Sequence, residues 1–380
     1  MRKIGRTVKT GAAKNMGGVC GAFLLLPLVF FTAGCAKAPS SQAEFVMGTV
    51  CTVNLYNRGT PALYRKVFAR LRELEGIMSA NREDSDVALI NRNAGIGPVA
   101  VREELVEVLA AALDYAERSG GAFDPTVGPL VKLWGIGGEN PRIPGDAEIR
   151  EALALINWRD LLVDRAAGTA FLKRPGMALD PGAIAKGYAA DEAARLLREA
   201  GIPGAIIDLG GNIFAYGRKT GEGLGRNEPW RIGIQDPLAD RGVYIGILEI
   251  RSQSVVTSGV YERFFEAEGK RYHHILSVQD GRPVDNGLLS VTIIADHSTD
   301  ADALSTAAFA LGYAQGRALV ESVPGAEAVF VFADKSLRIT PGALEAFTLR
   351  DETYRILTSS ISKTRKVLPG MAPFPAPWSP

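Results

Sequence analysis

Three segments of the chain carry apolar residues at helical spacing. Residues 61–78 and 102–121 repeat apolar side chains every three or four positions, and the second segment ends in two glycines. This spacing places the apolar side chains on one face of a helix. A third helix is predicted over about 181–200, with Asp180 as its N-cap and Pro181 as its first helical residue, because those positions favour these residue types.

The remaining apolar runs are shorter and rich in β-branched residues, which favours strands. The first covers residues 43–56 and is interrupted by a glycine, and the second covers residues 204–217. Five short runs follow between residues 230 and 295, and a predicted helix pair over 298–323 precedes a last strand at 326–333. Because helices come early and strands follow one another late, the pattern predicts an α+β fold with mainly antiparallel sheet.

The N-terminal segment is basic and then strongly apolar, the pattern of a secretory signal peptide. Its end, FTAGC, resembles a bacterial lipobox, although Thr32 stands where leucine is usual. This resemblance predicts removal of residues 1–34 and lipidation of Cys35. The alternative is an ordinary signal peptide that is cut near Ala36 or Ala38. Either cleavage predicts an exported protein.

These patterns predict the domain organisation. Residues 35–42 are expected to form a tether that starts at the lipidated cysteine, residues 43–350 a single folded unit, and residues 351–380 a proline-rich tail. Lipidation would hold the protein at the periplasmic face of a bacterial membrane.

Composition and charge exclude several classes of protein. The 380-residue chain is 47% hydrophobic and 22% charged, as in an ordinary globular protein. Its formal net charge of +1 gives no support for nucleic-acid binding. Its three cysteines have the spacing neither of a disulfide framework nor of a zinc site.

The segment LDPGAIAKGYAAD, residues 179–191, has the features of an anion site. The start of a helix attracts phosphate groups through its free N–H groups and its dipole. Gly182 allows a ligand or another backbone to approach closely, and Lys186 in the second turn can reach an anion. Together these features indicate a diphosphate site.

Asp302 and Thr306 are four residues apart in DADALSTAAFALG and share one face of the predicted helix. A carboxylate and a hydroxyl are hard oxygen ligands of the kind that Mg²⁺ binds, with water or phosphate completing its coordination. The same spacing is also that of a solvent-facing aspartate and an ordinary helical threonine, so the spacing leaves both interpretations open.

Two adjacent histidines, His273 and His274, lie on a predicted strand, so their side chains point to opposite faces. One of them could lie beside a site while the other is exposed. The alternative is a purely structural role for both. The remaining histidine, His297, does not complete a zinc site with recognisable spacing.

Eight segments, in order, resemble the signatures of the ApbE family of FAD:protein FMN transferases, over about residues 43–350. They are VMGTV, MSANREDSDVALIN, GGAFDPTVGPLVKLWGIG, LDPGAIAKGYAAD, DLGGNIFAYG, WRIGIQDP, VVTSGVYERFFEAEGKRYHHIL and DADALSTAAFALG. The resemblance implies a T-fold-like α+β fold with antiparallel sheets, packed helices and an FAD cleft between subregions. It also implies Mg²⁺ as the cofactor.

The resemblance further implies roles for individual residues. Those expected to bind FAD are Met47, Asn81, Ala122, Phe123, Asp124, Asp180, Lys186 and Leu276. The expected Mg²⁺ ligands are the carbonyl oxygen of Ala183, the carboxylate of Asp302 and the hydroxyl of Thr306. Asp302, Lys186 and His274 are expected to take part in catalysis, with His274 as the candidate base.

The chain departs from the family pattern at four positions. Asn81 stands where a tyrosine commonly covers the flavin, Ser277 and Asp280 stand where aspartate and threonine are common, and Val260 replaces an acid. These differences concern the flavin pocket and target recognition. The metal motif is intact.

The implied activity is Mg²⁺-dependent transfer of FMN from FAD to a threonine or serine hydroxyl of a target protein, with release of AMP. The targets in this family are subunits of Na⁺-pumping NADH:quinone oxidoreductases and Rnf-type complexes. One alternative is a Mg²⁺-dependent FAD diphosphatase, in which water replaces the hydroxyl. Another is a periplasmic flavin-binding lipoprotein without turnover.

Overall fold

The computed structural model describes residues 40–56, 59–219 and 228–357. The helices in these ranges are α1 Pro61–Met78, α2 Asp86–Arg92, α3 Glu103–Arg118, α4 Gly128–Trp134, α5 Asp146–Leu153, α6 Ala185–Glu199, α7 Ser298–Glu321 and α8 Pro341–Ala346. The strands are β1 Ser40–Val46, β2 Thr49–Tyr56, β3 Val99–Ala100, β4 Leu161–Asp164, β5 Thr169–Leu172, β6 Gly204–Leu209, β7 Asn212–Gly217, β8 Trp230–Gln235, β9 Tyr244–Ile250, β10 Gln253–Gly259, β11 Phe264–Ala267, β12 Lys270–His273, β13 Leu288–Ala295, β14 Glu327–Phe332, β15 Ser336–Ile339, β16 Phe347–Leu349 and β17 Arg355–Ile356.

A nine-stranded sheet organises the fold, in the order β1-β2-β6-β7-β10-β13-β14-β15-β17. All neighbouring strands in it are antiparallel except β15 and β17, which are parallel. Three smaller sheets have the orders β16-β9-β8, β3-β5-β4 and β11-β12. The prediction of an α+β fold with mainly antiparallel sheet is confirmed.

The central strands bury side chains on both faces of the large sheet. In β14, Ala328 and Phe330 pack in a core with residues of α1, α3, α6 and α7, whereas Val329 and Val331 pack in a second core with β8 and β9. Successive side chains of a strand point to opposite faces, so a strand that is covered on both faces is apolar at every position. The helices and the small β8–β9 sheet therefore cover opposite faces.

Helix α1 has the bounds that its sequence predicts. The hydroxyl of Thr60 accepts the N–H of Leu63 at 3.2 Å, and Pro61 occupies the first helical turn, where its missing N–H costs nothing. The fully buried side chains of Val67 and Leu71 lie on its inner face. Cap and apolar stripe thus agree, which is why the boundary is readable from sequence.

Helix α6 starts later than predicted, and Asp180 is not its N-cap. The Oδ1 atom of Asp180 accepts the N–H of Gly182 at 2.8 Å, and the helix begins only at Ala185 after a residue without a side-chain cap. A short aspartate side chain can satisfy the N–H two residues ahead of it, which favours a turn over a helix. The segment 180–184 is therefore an irregular turn in front of α6.

The predicted helix pair over 298–323 is one segment with a break. Helix α7 runs from Ser298 to Glu321, and Gly312 within it has a non-helical backbone with φ of 74° and ψ of 175°. A positive φ of this kind is easily reached only by glycine. The site residues Asp302 and Thr306 both precede the break.

The folded unit differs from the predicted one at both ends. Strand β1 begins at Ser40, inside the predicted tether. At the other end, the 2% exposed Tyr354 donates its hydroxyl to Asp236 Oδ1 at 2.6 Å, and β17 joins the large sheet. Residues 351–357 are therefore part of the fold rather than of the predicted tail.

The predicted signal peptide, Cys35 and residues 358–380 lie outside the described residues. Within the described ranges, no helix combines the length and the apolar character that crossing a membrane requires.

Candidate functional site

A cavity of about 530 Å³ lies between helices α6 and α7, residues 256–258 of strand β10, and the loops around Phe123 and His274. It collects residues from distant parts of the chain. Ten of the twelve residues that the sequence predicts for binding and catalysis line it, namely Ala122, Phe123, Asp124, Asp180, Ala183, Lys186, His274, Leu276, Asp302 and Thr306.

Asp302 is held in place through one carboxylate oxygen. Its Oδ2 accepts the N–H of Gly187 in α6 at 2.8 Å, and its side chain is almost fully buried. Its Oδ1 lies 3.7 Å from the Nζ atom of Lys186, which also donates to the carbonyl of Gly182 at 3.3 Å. The backbone bond leaves Oδ1 as the carboxylate atom that can bind a cation or an ammonium group.

Thr306 lies one helical turn beyond Asp302, as the four-residue spacing predicts. Its Oγ1 is 3.2 Å from Ser258 Oγ in β10. Ala183 belongs to the turn before α6 and lines the same cavity. The carboxylate of Asp302 and the hydroxyl of Thr306 thus lie at a cavity that Ala183 also lines, and a carboxylate, a hydroxyl and a backbone carbonyl are all hard oxygen donors.

The described residues contain no cluster of three or more His, Cys, Asp or Glu side chains with metal-binding geometry. The donor set at Asp302 has only one such side chain. Its other two donors are a hydroxyl and a carbonyl, which suit a cation that takes its remaining ligands from water or from a phosphorylated substrate. The set therefore fits Mg²⁺ better than Zn²⁺, which takes nitrogen and sulfur ligands in structural sites.

Helices α6 and α7 approach each other closely beside this cavity. A Cβ atom on Gly187 would lie 2.3 Å from the carbonyl oxygen of Ser298, so only glycine allows this contact. Asp191 of α6 also accepts the N–H groups of Ser298 and Thr299, both at 2.8 Å, at the start of α7. Each helix thus contributes a carboxylate that binds backbone N–H groups of the other.

The two histidines have different surroundings: one lies beside the cavity, as the sequence analysis considered, but the other is buried rather than exposed. The Nε2 atom of His273 is 2.9 Å from the carbonyl of Val284, and the residue is buried away from the cavity lining. His274 lines the cavity, and its Nδ1 is 3.2 Å from the carbonyl of Arg263. Because a carbonyl only accepts, Nδ1 carries the proton, and Nε2 keeps a lone pair for a further contact.

Burial, together with the charge of Arg263, lowers the pKa of His274 to about 3. We therefore expect its ring resonances in NMR spectra to stay unchanged from pH 8 to pH 5, where an ordinary histidine titrates near 6.5. The unfolded chain binds this proton between pH 6.5 and 3 and the folded chain does not, so the group lowers folding stability as the pH falls through that window. His274→Gln identifies the resonance, and a midpoint near 6.5 would contradict the assignment.

Asp124 shapes the cavity wall rather than offering a free carboxylate. Its Oδ1 accepts the N–H and the hydroxyl of Thr126 at 2.8 and 2.6 Å, and its Oδ2 accepts the N–H of Trp158 at 3.0 Å. Burial raises the pKa of Asp124, and these hydrogen bonds oppose the effect. Its carboxylate oxygens are used within the protein, and its role in FAD binding stays a prediction.

Met47 and Asn81 are not among the residues that line the cavity. Met47 forms the β1–β2 turn together with Gly48, and it is Gly48 that reaches the cavity. Asn81 is exposed in the loop after α1. Their contact with a flavin stays a prediction.

The sequence analysis assigned no role to the β6–β7 turn or to β10, yet Gly210, Gly211 and Ser258 line the cavity. Gly210 has a φ of 70°, and a Cβ atom there would lie 2.2 Å from Thr49 Oγ1. The glycine pair directly after a buried strand is the signal that could have identified this turn. Nothing in the spacing of Ser258 marks it, because its contact is with a helix much later in the chain.

The cavity rim carries further charged side chains that the sequence analysis did not single out. Arg241 Nη2 lies 3.4 Å from Glu262 Oε2, and Arg263 lies beside them. Burial raises the pKa of Glu262, against the effect of Arg241. With Lys186, the two arginines give the cavity three cationic side chains beside its four carboxylates, and such cationic groups can bind an anionic group such as a diphosphate.

A second cavity, of about 580 Å³, lies on the other side of α6. Four of its charged side chains pair with one another: Arg70 contacts Glu104 at 2.7 Å and Glu192 at 3.0 Å, and Arg195 contacts Glu192 at 2.8 Å. None of the predicted site residues line it. The first cavity is therefore the candidate functional site.

The sequence model of the ApbE family matches residues 47–330. A similar protein from Treponema pallidum, an FAD:protein FMN transferase, is 41% identical over 326 residues, which cover 83% of this chain and 90% of that protein. An FAD:protein FMN transferase from Klebsiella pneumoniae is 38% identical over 317 residues, covering 83% and 96% of the two chains.

Solved structures agree with this similarity. The crystal structure of the ApbE protein from Thermotoga maritima superposes with a TM-score of 0.73 at 33% identity, over 82% of this chain and all of the other. The apo form of the Pseudomonas stutzeri flavinyl transferase ApbE gives a TM-score of 0.71 at 32% identity, over 82% and 98% of the two chains. By sequence and by fold, this chain belongs to the ApbE family.

Proposed function

We propose that the protein is a Mg²⁺-dependent FAD:protein FMN transferase. The observation that carries the proposal is that Asp302, Thr306 and Ala183 line one cavity together with the cationic Lys186. The names of the relatives that match most of the chain support the same activity. The proposed acceptor is a threonine or serine of a subunit of a Na⁺-pumping NADH:quinone oxidoreductase or Rnf-type complex.

In the proposed reaction, the acceptor hydroxyl oxygen attacks the phosphorus atom on the FMN side of the FAD diphosphate. The bond from that phosphorus to the bridging oxygen breaks, and AMP leaves with the oxygen. Mg²⁺, held by Ala183, Asp302 and Thr306, would neutralise charge on the diphosphate. Lys186 adds a positive charge beside the same carboxylate.

His274 is proposed to accept the proton of the acceptor hydroxyl at Nε2. Its Nδ1 donates a hydrogen bond to the carbonyl of Arg263, so Nε2 is the nitrogen with a lone pair. The low pKa of the ring keeps it neutral and ready to accept a proton at physiological pH, although it makes the ring a weak base. The proton would move on to the departing phosphate.

The experiment that tests the proposal combines the purified protein with FAD, Mg²⁺ and a threonine-bearing target subunit. We expect flavin fluorescence on the denatured target in a gel, with AMP released in equal amount. A target with that threonine changed to valine is the control. AMP without labelled target would identify an FAD diphosphatase instead, and neither product would identify a flavin-binding protein.

We also propose that the protein is exported and anchored in a membrane through a lipid on Cys35, as the lipobox-like FTAGC predicts. Cys35→Ser should move the protein from the membrane fraction to the soluble fraction, because a serine cannot form the thioether link to lipid. Cys51→Ser is a matched control at the buried cysteine of β2. Membrane association of the Cys35 variant, with lipid still attached, would refute the anchor.

A further inference from the structure

A chain of hydrogen-bonded oxygen atoms leads from the cavity back into helix α7. Thr306 Oγ1 is 3.2 Å from Ser258 Oγ, and Ser258 Oγ is 2.8 Å from Ser305 Oγ. Ser305 Oγ in turn is 2.9 Å from the carbonyl oxygen of Asp302. The chain starts at one proposed metal ligand and ends on the backbone of another.

The carbonyl at the end of this hydrogen-bond series fixes the direction of every proton in it. The carbonyl of Asp302 can only accept, so Ser305 donates its single hydroxyl proton to it. Ser305 must then accept from Ser258. Because Ser258 has given up its only proton, it accepts from Thr306. The hydroxyl proton of Thr306 therefore points at Ser258.

This direction matters because Thr306, at the other end of the hydrogen-bond series, lines the cavity. A threonine in a helix commonly donates its hydroxyl proton to the carbonyl four residues earlier, which for Thr306 is Asp302. Here Ser305 uses that carbonyl and is itself fully buried, so water does not compete for the bond. The hydroxyl oxygen of Thr306 keeps its lone pairs for a ligand in the cavity.

We propose that Ser258 is a positioning residue for the metal ion. Through its hydrogen bond it holds the proton of Thr306 toward Ser258 on the cavity wall, so that Thr306 Oγ1 presents a lone pair to the cation together with Asp302 Oδ1. The inference rests on the proposed function, since it assumes that Thr306 and Asp302 bind the metal. It adds a residue outside the predicted ligand set, from strand β10 rather than from α7 or the turn before α6.

The role predicts a specific loss in Ser258→Ala. Without Ser258, the proton of Thr306 is free to rotate toward the cavity, where it repels a cation. Loss of a group that orients a ligand typically weakens metal binding 10–100-fold, so we expect the dissociation constant for Mn²⁺ to rise by about 10-fold. Ser258→Thr keeps a hydroxyl at the same carbon and should retain most of the binding.

The test titrates the purified protein with Mn²⁺ alone and follows the free ion by electron paramagnetic resonance. Ser254→Ala is the matched control, because Ser254 lies on the same strand and its hydroxyl bonds Ser298 of α7 at 2.9 Å, away from the cavity lining. We expect Ser254→Ala to bind Mn²⁺ as the unchanged protein does. Circular dichroism melting checks the fold of each variant.

The outcomes separate the inference from the proposed function. If the unchanged protein binds Mn²⁺ and Ser258→Ala binds it equally well, the positioning role is wrong. If Asp302→Asn also binds Mn²⁺ with the same dissociation constant as the unchanged protein, the proposed metal site itself is wrong. Should Ser258→Ala fail to fold, Ser305→Ala replaces it, because removing that acceptor lets Ser258 donate to Thr306 and must weaken binding in the same way.

Discussion

Asp302→Asn should lower the rate of AMP release from FAD by at least about 100-fold, because it removes the only carboxylate of the proposed Mg²⁺ site. The substitution preserves shape. The amide oxygen can still accept the N–H of Gly187, which Asp302 Oδ2 accepts at 2.8 Å. The amide nitrogen then takes the place of Oδ1, and it has no lone pair for a cation. AMP is measured by chromatography across Mg²⁺ concentrations.

The matched control is Asp300→Asn. Asp300 lies on the same helix and is two residues away, but its Oδ1 accepts the hydroxyl of Tyr115 at 2.7 Å and it does not line the cavity. We expect this variant to release AMP at nearly the rate of the unchanged protein. Equal rates for both variants at every Mg²⁺ concentration would show that Asp302 is not a ligand.

Gly187→Ala should destabilise the protein by about 3 kcal/mol, among the larger effects of a single added methyl group. The new Cβ would lie 2.3 Å from the carbonyl oxygen of Ser298, and backbone atoms cannot move aside as a flexible side chain can. The two helices must separate, which also moves Asp302 away from α6. We expect a melting temperature lower by about 5–10 °C and a higher Mg²⁺ requirement.

Gly76→Ala provides the contrast. Gly76 lies inside α1, and a Cβ atom added there would meet nothing within 4 Å. Alanine in an open helical position stabilises by about 0.5–1 kcal/mol relative to glycine. A melting temperature that falls equally in both variants would mean that the close contact of α6 with α7 is not what Gly187 serves.

Local signals in the sequence predict the long elements well. The cap and apolar stripe of α1 fix both of its ends, and the glycine between β1 and β2 marks their turn. The predicted start of α6 was wrong because Asp180 accepts the N–H of Gly182 in a turn. Residue type alone does not distinguish an aspartate that caps a helix from one that forms a turn. Short elements such as β3 carry too few residues to show any periodicity.

The candidate site was predicted where its residues are close together in sequence. Asp302 and Thr306 share a helix face by their four-residue spacing, and the family resemblance assigned both of them to the metal site. The contact of Thr306 with Ser258 depends instead on how β10 lies against α7 in the folded protein. No local pattern encodes such a register, so the supporting residues of the site became visible only in three dimensions.

The pairing of β2 with β6 has a consequence for the order in which the chain can fold. Tyr56 pairs with Gly204, so these two neighbouring strands are separated by about 150 residues, which include the six helices α1–α6 and a small sheet. Bringing distant segments together costs chain entropy before any contact compensates for it, which slows folding. We therefore expect the β1–β2 hairpin to keep an open edge until β6 pairs with it. The cavity is lined by residues before, within and after this long segment, so we expect it to be completed late in folding.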